Sequence, residues 1–485
     1  MTYPWKTEPF AHQREWWEKT RDKPSWAVLW EQGTGKSKLT VDTVADLYLR
    51  DQIDCLLVVA PNGVHRNWIV KEVPEHLPDK VDWKGLLWTS TKAANVGAKK
   101  EAASALDYWG LLVVAMSYDA LMTKLGDEYV SKLMDRRRVA MVLDESARIK
   151  NPKAKRTRKV LSKGKAATYR RILTGTPVAN SPFDVFSQFQ FLDPKIWHAI
   201  GCRSYTAFKN YFGVWEDAMD PRSGRFYKNL VRYRNLEKLN KIVETVGCRV
   251  RKEDVLDLPP KLYQTRSFDL SAEQARLYGQ LADDLYLRLD AGEVDAMLAI
   301  VQMIRFQQVA SGFLPIADPE TGEVIEVKRL DNARIRCFSE VVEDTTGKFI
   351  AWGKFQQDID DMAAACRELG VEAVLYDGRC SDADRADAIE RFQKGTARAF
   401  LANPAAAGEG LTLHAATTVI YYDNSFKLTE RLQSEDRAHR IGQEHPVLYI
   451  DIVAAGTIDE KIAMALRNKL DVASIVTGDK LRDWI

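Results

Sequence analysis

Four short apolar runs punctuate the first 180 positions, 26–30, 55–60, 113–116 and 139–143, and Ile172-Leu173 closes a fifth strand. None alternates with polar residues. An unbroken apolar run bounded by turn residues is what a strand covered on both faces needs. Between the first two lies a helix-like stretch, 38–49. Strands alternating with helices predict a parallel sheet, with ligands at the strands' C-terminal ends. From 178 to about 262 the pattern is helical, aromatic and mixed in charge, and Leu258-Pro259-Pro260-Lys261 marks a boundary, because consecutive prolines cannot continue a helix. Ser271, with Gln274 three residues on, caps a helix predicted to run to Leu289. A second helix is predicted over 297–309, and 315–323 reads as a turn-rich loop. A second alternating series then follows, with strands over 348–352, 373–376, 399–402, 419–422 and 447–453.

The chemistry gathers where the first series ends its strands. Trp30-Glu31-Gln32-Gly33-Thr34-Gly35-Lys36-Ser37 joins the first strand to the first helix. Strand, glycine loop, Lys-Ser and helix is the context of a phosphate-binding loop, although the general pattern places glycine where this chain has Trp30. Backbone N–H groups of Gly33, Thr34 and Gly35 would face the phosphates, aided by the helix N-terminus. Lys36 would reach the β/γ-phosphates and the Ser37 hydroxyl would hold Mg²⁺. The 139–143 strand delivers Asp144-Glu145, the second half of a nucleotide site. Asp144 would hold Mg²⁺ through water and Glu145 would polarise the attacking water. Gln13 has an amide able to read adenine, but by itself it reads as a surface helix glutamine. Arg437 and Arg440, three apart, are predicted to share a helix face. Alone they read as surface arginines, though two such groups could stabilise charge developing on a γ-phosphate.

The 485 residues leave room for up to about three domains. Net charge is only +2, so a nucleic-acid site must be a local patch. One candidate stands out. From Arg148 to Arg171 there are eleven Lys or Arg and no acid. A charge run is usually a solvated face; a one-signed run directly after Asp-Glu, with Asn151 among it, favours a polyanion-tracking surface. The six cysteines form no C-x-x-C pair, which disfavours zinc and a disulfide framework and fits a reducing compartment. Neither a signal peptide nor a run of transmembrane length is evident.

Taken together and in order, these motifs resemble superfamily 2 helicases, and in detail the Swi/Snf-related branch of double-stranded DNA translocases. Trp30 to Ser37 resembles D-E-M-G-L-G-K-T, with Trp30 and Gln32 as departures. Val59-Ala-Pro-Asn62 to Asn67-Trp68 resembles motif Ia. Asp144 to Asn151 resembles D-E-A-H-R-I-K-N, with Ala147 replacing the histidine. Leu173 to Asn180 resembles L-T-G-T-P-x-x-N, and Arg249 to Lys261 the segment ending D-L-P-P-K. Asp377-Gly378, Arg385 and Phe392-Gln393 resemble D-G…R…F-Q. Gln433 to Gln443 resembles Q-A-x-D-R-A-H-R-I-G-Q almost residue for residue.

The resemblance implies an α/β chain of two RecA-like lobes with parallel sheets, an ATP cleft between them and helical insertions. Expected divisions are lobe 1 over 1–180, a helical insertion completing it over 181–262, a helical insertion of lobe 2 over 263–345, lobe 2 over 346–470 and a tail over 471–485. It also implies ATP and Mg²⁺ as cofactors, with catalysis by Lys36, Asp144, Glu145, Arg437 and Arg440. ATP contacts are expected from Gln13, Gly33, Thr34, Gly35, Lys36, Ser37, Gly410 and Gln433, Mg²⁺ at Ser37 and Asp144, and coupling through Thr174 and Thr176. DNA contacts are expected from Asn67, Ser117, Lys150, Asn151, Lys153, Lys155, Trp352 and Arg379. The implied function is a DNA-dependent ATPase translocating on duplex or branched DNA. The chain would act as a monomeric bare motor in the cytoplasm of a bacterial or phage-infected cell. A strand-separating helicase, or an ATP-gated DNA clamp with little turnover, are the alternatives.

Overall fold

Two α/β units, each built on one parallel sheet, make up the chain in a computed structural model. It describes residues 3–62, 64–89, 95–219, 226–290, 296–318, 321, 323–405 and 411–477. The first unit is formed mainly by residues up to Trp215 together with Leu230–Asp257, the second mainly by Leu258–Asp471.

In chain order the strands are β1 (Ser25–Trp30), β2 (Cys55–Ala60), β3 (Trp83–Trp88), β4 (Leu111–Ser117), β5 (Val139–Asp144), β6 (Tyr169–Leu173), β7 (Gly213–Met219), β8 (Phe226–Tyr233) and β9 (Gly247–Val250). Seven of them form the first sheet, in the order β3-β4-β2-β5-β6-β1-β9. Its paired strands are parallel throughout. The unbroken apolar runs are buried on both faces, as the pattern predicts. Along β2, Cys55, Leu57 and Val59 enter one hydrophobic cluster while Leu56, Val58 and Ala60 enter another, because successive side chains point to opposite faces. β7 and β8 form a separate two-stranded sheet.

The remaining strands are β10 (Lys261–Phe268), β11 (Phe313–Ala317), β12 (Val324–Arg329), β13 (Phe349–Trp352), β14 (Ala373–Tyr376), β15 (Ala399–Ala402), β16 (Thr418–Tyr421) and β17 (Val447–Ala454). Six form the second sheet, in the order β10-β17-β16-β13-β15-β14. Here too the faces alternate: Phe349 and Ala351 join one cluster, Ile350 and Trp352 the other. The helix capped by Ser271 is present as Ala272–Asp290, and Gln274 N donates to Ser271 Oγ at 3.2 Å while Ser271 N donates to Gln274 Oε1 at 3.1 Å.

Two parts of the periodicity reading need correction. The stretch read as a turn-rich loop contributes strand: β11 pairs antiparallel with β12. Pro315 lies within β11 and hides the strand from a local reading. The region read as helical, 178–262, also holds β7, β8, β9 and the start of β10. β10 is rich in polar residues and β9 is only four residues long, so neither shows an apolar run. Among the described residues no helix is long and apolar enough to cross a membrane.

Candidate active site

The sheet order puts β6 between β1 and β5, so the residues leaving these three strands are neighbours. Leu173 at the end of β6 pairs with Val28 of β1 on one side and Asp144 of β5 on the other. The phosphate loop, Asp144-Glu145 and Thr174-Gly175-Thr176 are thereby brought together at the C-terminal edge.

The loop is held from several directions. Gly35 has φ 87°, a left-handed conformation that disfavours any side chain. A Cβ there would also come within 1.8 Å of Gln13 Nε2. Thr34 Oγ1 donates to Glu31 O at 2.7 Å, and Lys36 Nζ donates to Trp30 O at 3.0 Å and Glu31 O at 3.2 Å. The Lys36 ammonium is thus fixed at the loop's own centre. Gln13 is buried against this loop. Its Nε2 donates to Thr34 O and Gly35 O, both at 3.4 Å, and its Oε1 accepts from Phe10 N at 2.9 Å. His12 Nε2 donates to Thr34 O at 2.9 Å.

The two departures from the family loop acquire reasons. Trp30 is wholly buried, packs edge-on against His12 and donates its indole N–H to Cys248 Sγ at 3.1 Å. It anchors the loop's first residue to β9. Gln32 Nε2 donates to Glu145 Oε1 at 3.4 Å.

Glu145 sits at φ 49°, unusual for a side-chain-bearing residue and costly unless its surroundings hold it. They do: Thr174 Oγ1 donates to Glu145 Oε2 at 3.4 Å, and Thr176 N donates to Thr174 Oγ1 at 3.1 Å. Asp144 accepts from Trp68 Nε1 at 2.9 Å and from Glu145 N at 3.1 Å. Burial pushes the Asp144 carboxyl up from its ordinary range, while the Trp68 hydrogen bond and the Lys36 charge pull it back.

Several residues here were given no role at the site by the sequence. Trp68 begins a π-helical turn, Trp68–Glu72, that aims both its indole and the Glu72 carboxyl at the site. Burial raises the Glu72 carboxyl, opposed by Lys71 and by a hydrogen bond with Ser37. Glu31 is clamped from β9 and beyond: Arg249 Nη2 lies 3.4 Å from Glu31 Oε1, and Lys252 N donates to Glu31 Oε2 at 2.9 Å. Arg249 Nη1 also donates to Leu29 O at 2.7 Å and Gly175 O at 3.0 Å, so one guanidinium ties β1, the loop and the β6 turn. A signal existed for this pair, since Arg249 and Lys252 open the D-L-P-P-K segment, but their partner lies 218 positions away. Arg249→Met should lower the stability of the first unit by about 1–3 kcal/mol, because two carbonyls and the Glu31 carboxylate each lose a donor, the carboxylate keeping Lys252 N. A shifted urea midpoint would register this; an unchanged midpoint would mean that these bonds contribute nothing net.

In the second unit, Arg437 lies on the Leu428–Ala438 helix but Arg440 does not. The helix ends at Ala438, His439 Nε2 engages Pro259 O at 2.8 Å, and Gly442 turns the chain at φ 98°. The predicted shared helix face is therefore corrected. The two side chains converge all the same: Arg437 Nη1 donates to Leu411 O at 3.3 Å and Arg440 Nη1 donates to the same oxygen at 3.0 Å. The helix is anchored by Glu435, which meets Lys261 Nζ, Tyr263 Oη and Arg431 Nε, each at 2.9 Å. Burial pushes the Glu435 carboxyl up, but Lys261 and Arg431 outweigh it and bring it down to about 2. Gln433 is half-buried on this helix, and Gly410 lies outside the described residues.

The expected DNA contacts are scattered. Asn67 is half-buried beside Trp68. Ser117 is buried and its hydroxyl caps a helix, accepting from Ala120 N at 3.0 Å. Trp352 is wholly buried in the second unit's core. Arg379 is tied to Asp377 and Asp360. Lys153, Lys155 and Asn151 are exposed and Lys150 is half-buried.

A family model described as "SNF2-related domain" matches residues 11–310, and one described as "Helicase conserved C-terminal domain" matches 333–442. The chain is similar to "DNA annealing helicase and endonuclease ZRANB3" of Bos taurus, 26% identical over 462 residues covering 93% of this chain and 39% of that protein. It is similar to "Transcription regulatory protein SNF2" of Saccharomyces cerevisiae, 25% identical over 466 residues covering 91% of this chain and 26% of that protein. The chain thus spans about two fifths or less of the length of these relatives. Among solved structures it is similar to "Sulfolobus solfataricus SWI2/SNF2 ATPase core in complex with dsDNA", 22% identical, with 99% of this chain and 95% of that chain covered and a TM-score of 0.42.

Proposed function

This chain belongs to the SNF2-related family of helicase-like ATPases, and from that premise we propose that it is a DNA-dependent ATPase that translocates along double-stranded DNA. The observation that carries the proposal is the convergence of Lys36, Asp144, Glu145 and Thr174 at one edge of one sheet. Phosphate-facing N–H groups, a cation, a metal-holding carboxylate and a carboxylate able to orient water are the parts nucleotide hydrolysis needs. The donor set fits Mg²⁺, a hard cation that takes oxygen ligands: the Ser37 hydroxyl and the Asp144 carboxylate are such oxygens, and Glu72 stands beside Ser37. Bound there, the ion would neutralise charge on the β- and γ-phosphates. Around it, Lys36 would draw the phosphates into the loop and Glu145, held by Thr174 and Gln32, would orient the attacking water.

In this reading Arg437 and Arg440 are supplied by the second unit when the two units close on ATP, and hydrolysis reopens them. Gln13 reads the base, Gln433 and Gly410 complete the nucleotide contacts, and Thr174 and Thr176 link the water-orienting carboxylate to the turn after β6. Lys150, Asn151, Lys153 and Lys155 grip the DNA backbone, with Asn67, Ser117, Trp352 and Arg379 as weaker candidates given their burial or pairing. Remodelling of DNA or of protein–DNA complexes follows from such motion.

ATP turnover measured with no nucleic acid, single-stranded DNA, duplex DNA, branched DNA and RNA tests the reading. Duplex DNA should stimulate most, and Lys36→Ala should fall to background in every arm. Equal rates in all arms would remove the DNA dependence. Stimulation by single strands together with strand displacement would favour a strand-separating helicase.

A further inference from the structure

The basic run 148–171 is not one surface. The Lys155–Gly164 helix sorts its cations onto two stripes. On one, Arg156 Nη2 lies 2.5 Å from Asp119 Oδ1, and Lys159 and Lys163 lie 3.2 and 2.8 Å from the two oxygens of Asp127. Arg171, at the run's end, is buried and donates to Lys23 O at 2.7 Å and Thr20 O at 3.2 Å. These four charges are spent inside the unit. On the other stripe, Lys155, Arg158, Ser162 and Lys165 follow at intervals of three, four and three and are all exposed. Among the described residues, no carboxylate stands within ion-pair distance of Lys155, Arg158 or Lys165.

The open stripe ends in a cavity of about 380 Å³ lined by Arg158, Ser162, Lys165, Arg170, Gln190 and Phe191 among others. No acid lines it. The acid whose charge reaches Arg170 is Asp193, one of whose oxygens accepts from Lys195 N at 2.8 Å. Arg170 is the second residue of β6 and donates to Ser25 Oγ, at the start of β1, at 3.2 Å. The cavity is therefore at the N-terminal edge of the sheet, whereas the phosphate loop leaves the C-terminal edge. A five-residue strand separates them by about 16 Å.

We propose that this cavity is a second phosphate site that holds the nucleic-acid backbone, joined to the Lys150–Lys155 grip by the open stripe. The proposal rests on the reading of the chain as a DNA-binding motor. The polar side chains of the lining, Arg158, Ser162, Lys165, Arg170 and Gln190, are cationic or neutral donors, which suits the acceptor-only oxygens of a phosphodiester. From Lys155 to Lys165 the helix rises about 15 Å, a span in which each DNA strand presents several phosphates. The cavity lies in the size range of ligand clefts and needs no movement of the nucleotide loop to be filled.

Duplex binding, followed by fluorescence anisotropy over a range of salt without nucleotide, tests the site. Arg158→Gln/Lys165→Gln should reduce the slope of log affinity against log salt by about 1.8, two contacts at about 0.9 each. Lys159→Gln/Lys163→Gln removes the same charge from the same helix and should leave the slope near the parental value. Melting temperatures of both variants report whether they fold. Equal slope changes in the two variants would overturn the site, because the helix would then act only as a diffuse charge. A parental protein that does not bind duplex DNA at all would overturn the motor reading as well. Should pyrophosphate raise the melting temperature of the parental protein but not of Arg158→Gln/Lys165→Gln, while the DNA slopes coincide, the cavity takes a free phosphate and the backbone assignment falls.

Discussion

Glu145→Gln is expected to bind ATP about as tightly as the parental protein and to turn it over about 10²–10⁴ times more slowly, the range a positioned general base contributes. The amide is nearly isosteric. Its carbonyl oxygen can still accept from Thr174 Oγ1 or from Gln32 Nε2, both of which donate to the carboxylate now. What it loses is the negative charge that draws a proton from water. The left-handed backbone at 145 is unaffected, since glutamine meets the same steric limits as glutamate. The variant should therefore accumulate with ATP and DNA bound. Nucleotide affinity, single-turnover hydrolysis and DNA retention in ATP are the measurements. Parental hydrolysis by Glu145→Gln would move the water-orienting role to another group, and Glu72 would become the carboxylate to test.

Arg440→Ala, and with it Arg437→Ala, should lose DNA-stimulated hydrolysis by about 10³–10⁵, the worth of an arginine finger in nucleotide hydrolases. The structure adds a reason to expect the pair to act together. Both guanidinium groups donate to Leu411 O, so removing one takes a donor from the carbonyl that positions the other. Ground-state ATP binding should change little, because the loop, Gln13 and Lys36 belong to the other unit. DNA binding without nucleotide should survive, since the basic stripe is untouched. Lysine at 440 should rescue poorly: a point charge does not reproduce a planar fork. Turnover at saturating duplex, with nucleotide affinity alongside, decides the matter. Near-parental stimulation in both single variants and in the double variant would leave these arginines as structural donors to Leu411 and remove closure from the mechanism.

Much of this was legible in the sequence alone, for a physical reason. Burial on both faces of a parallel sheet requires unbroken apolar runs, so β1, β2, β4, β5, β13, β15 and β16 stand out by pattern, and β14 and β17 stand out by their mostly apolar residues. A capping box is local chemistry, so Ser271 and Gln274 announce their helix. The glycine loop and Asp144-Glu145 are likewise short-range arrangements, and a parallel sheet carries both to its C-terminal edge. Tertiary structure alone decided what depends on partners far along the chain. It gave Trp30 its place against Cys248, and Glu31 its clamp from Arg249 and Lys252. It took Arg440 off the helix, because a turn at Gly442 and a contact at Pro259 outweigh the local pattern. It divided eleven like charges into those neutralised by Asp119 and Asp127, those buried, and those left facing solvent. Charge is a property of the residue, but whether that charge is available to a ligand depends on which carboxylate the fold sets beside it.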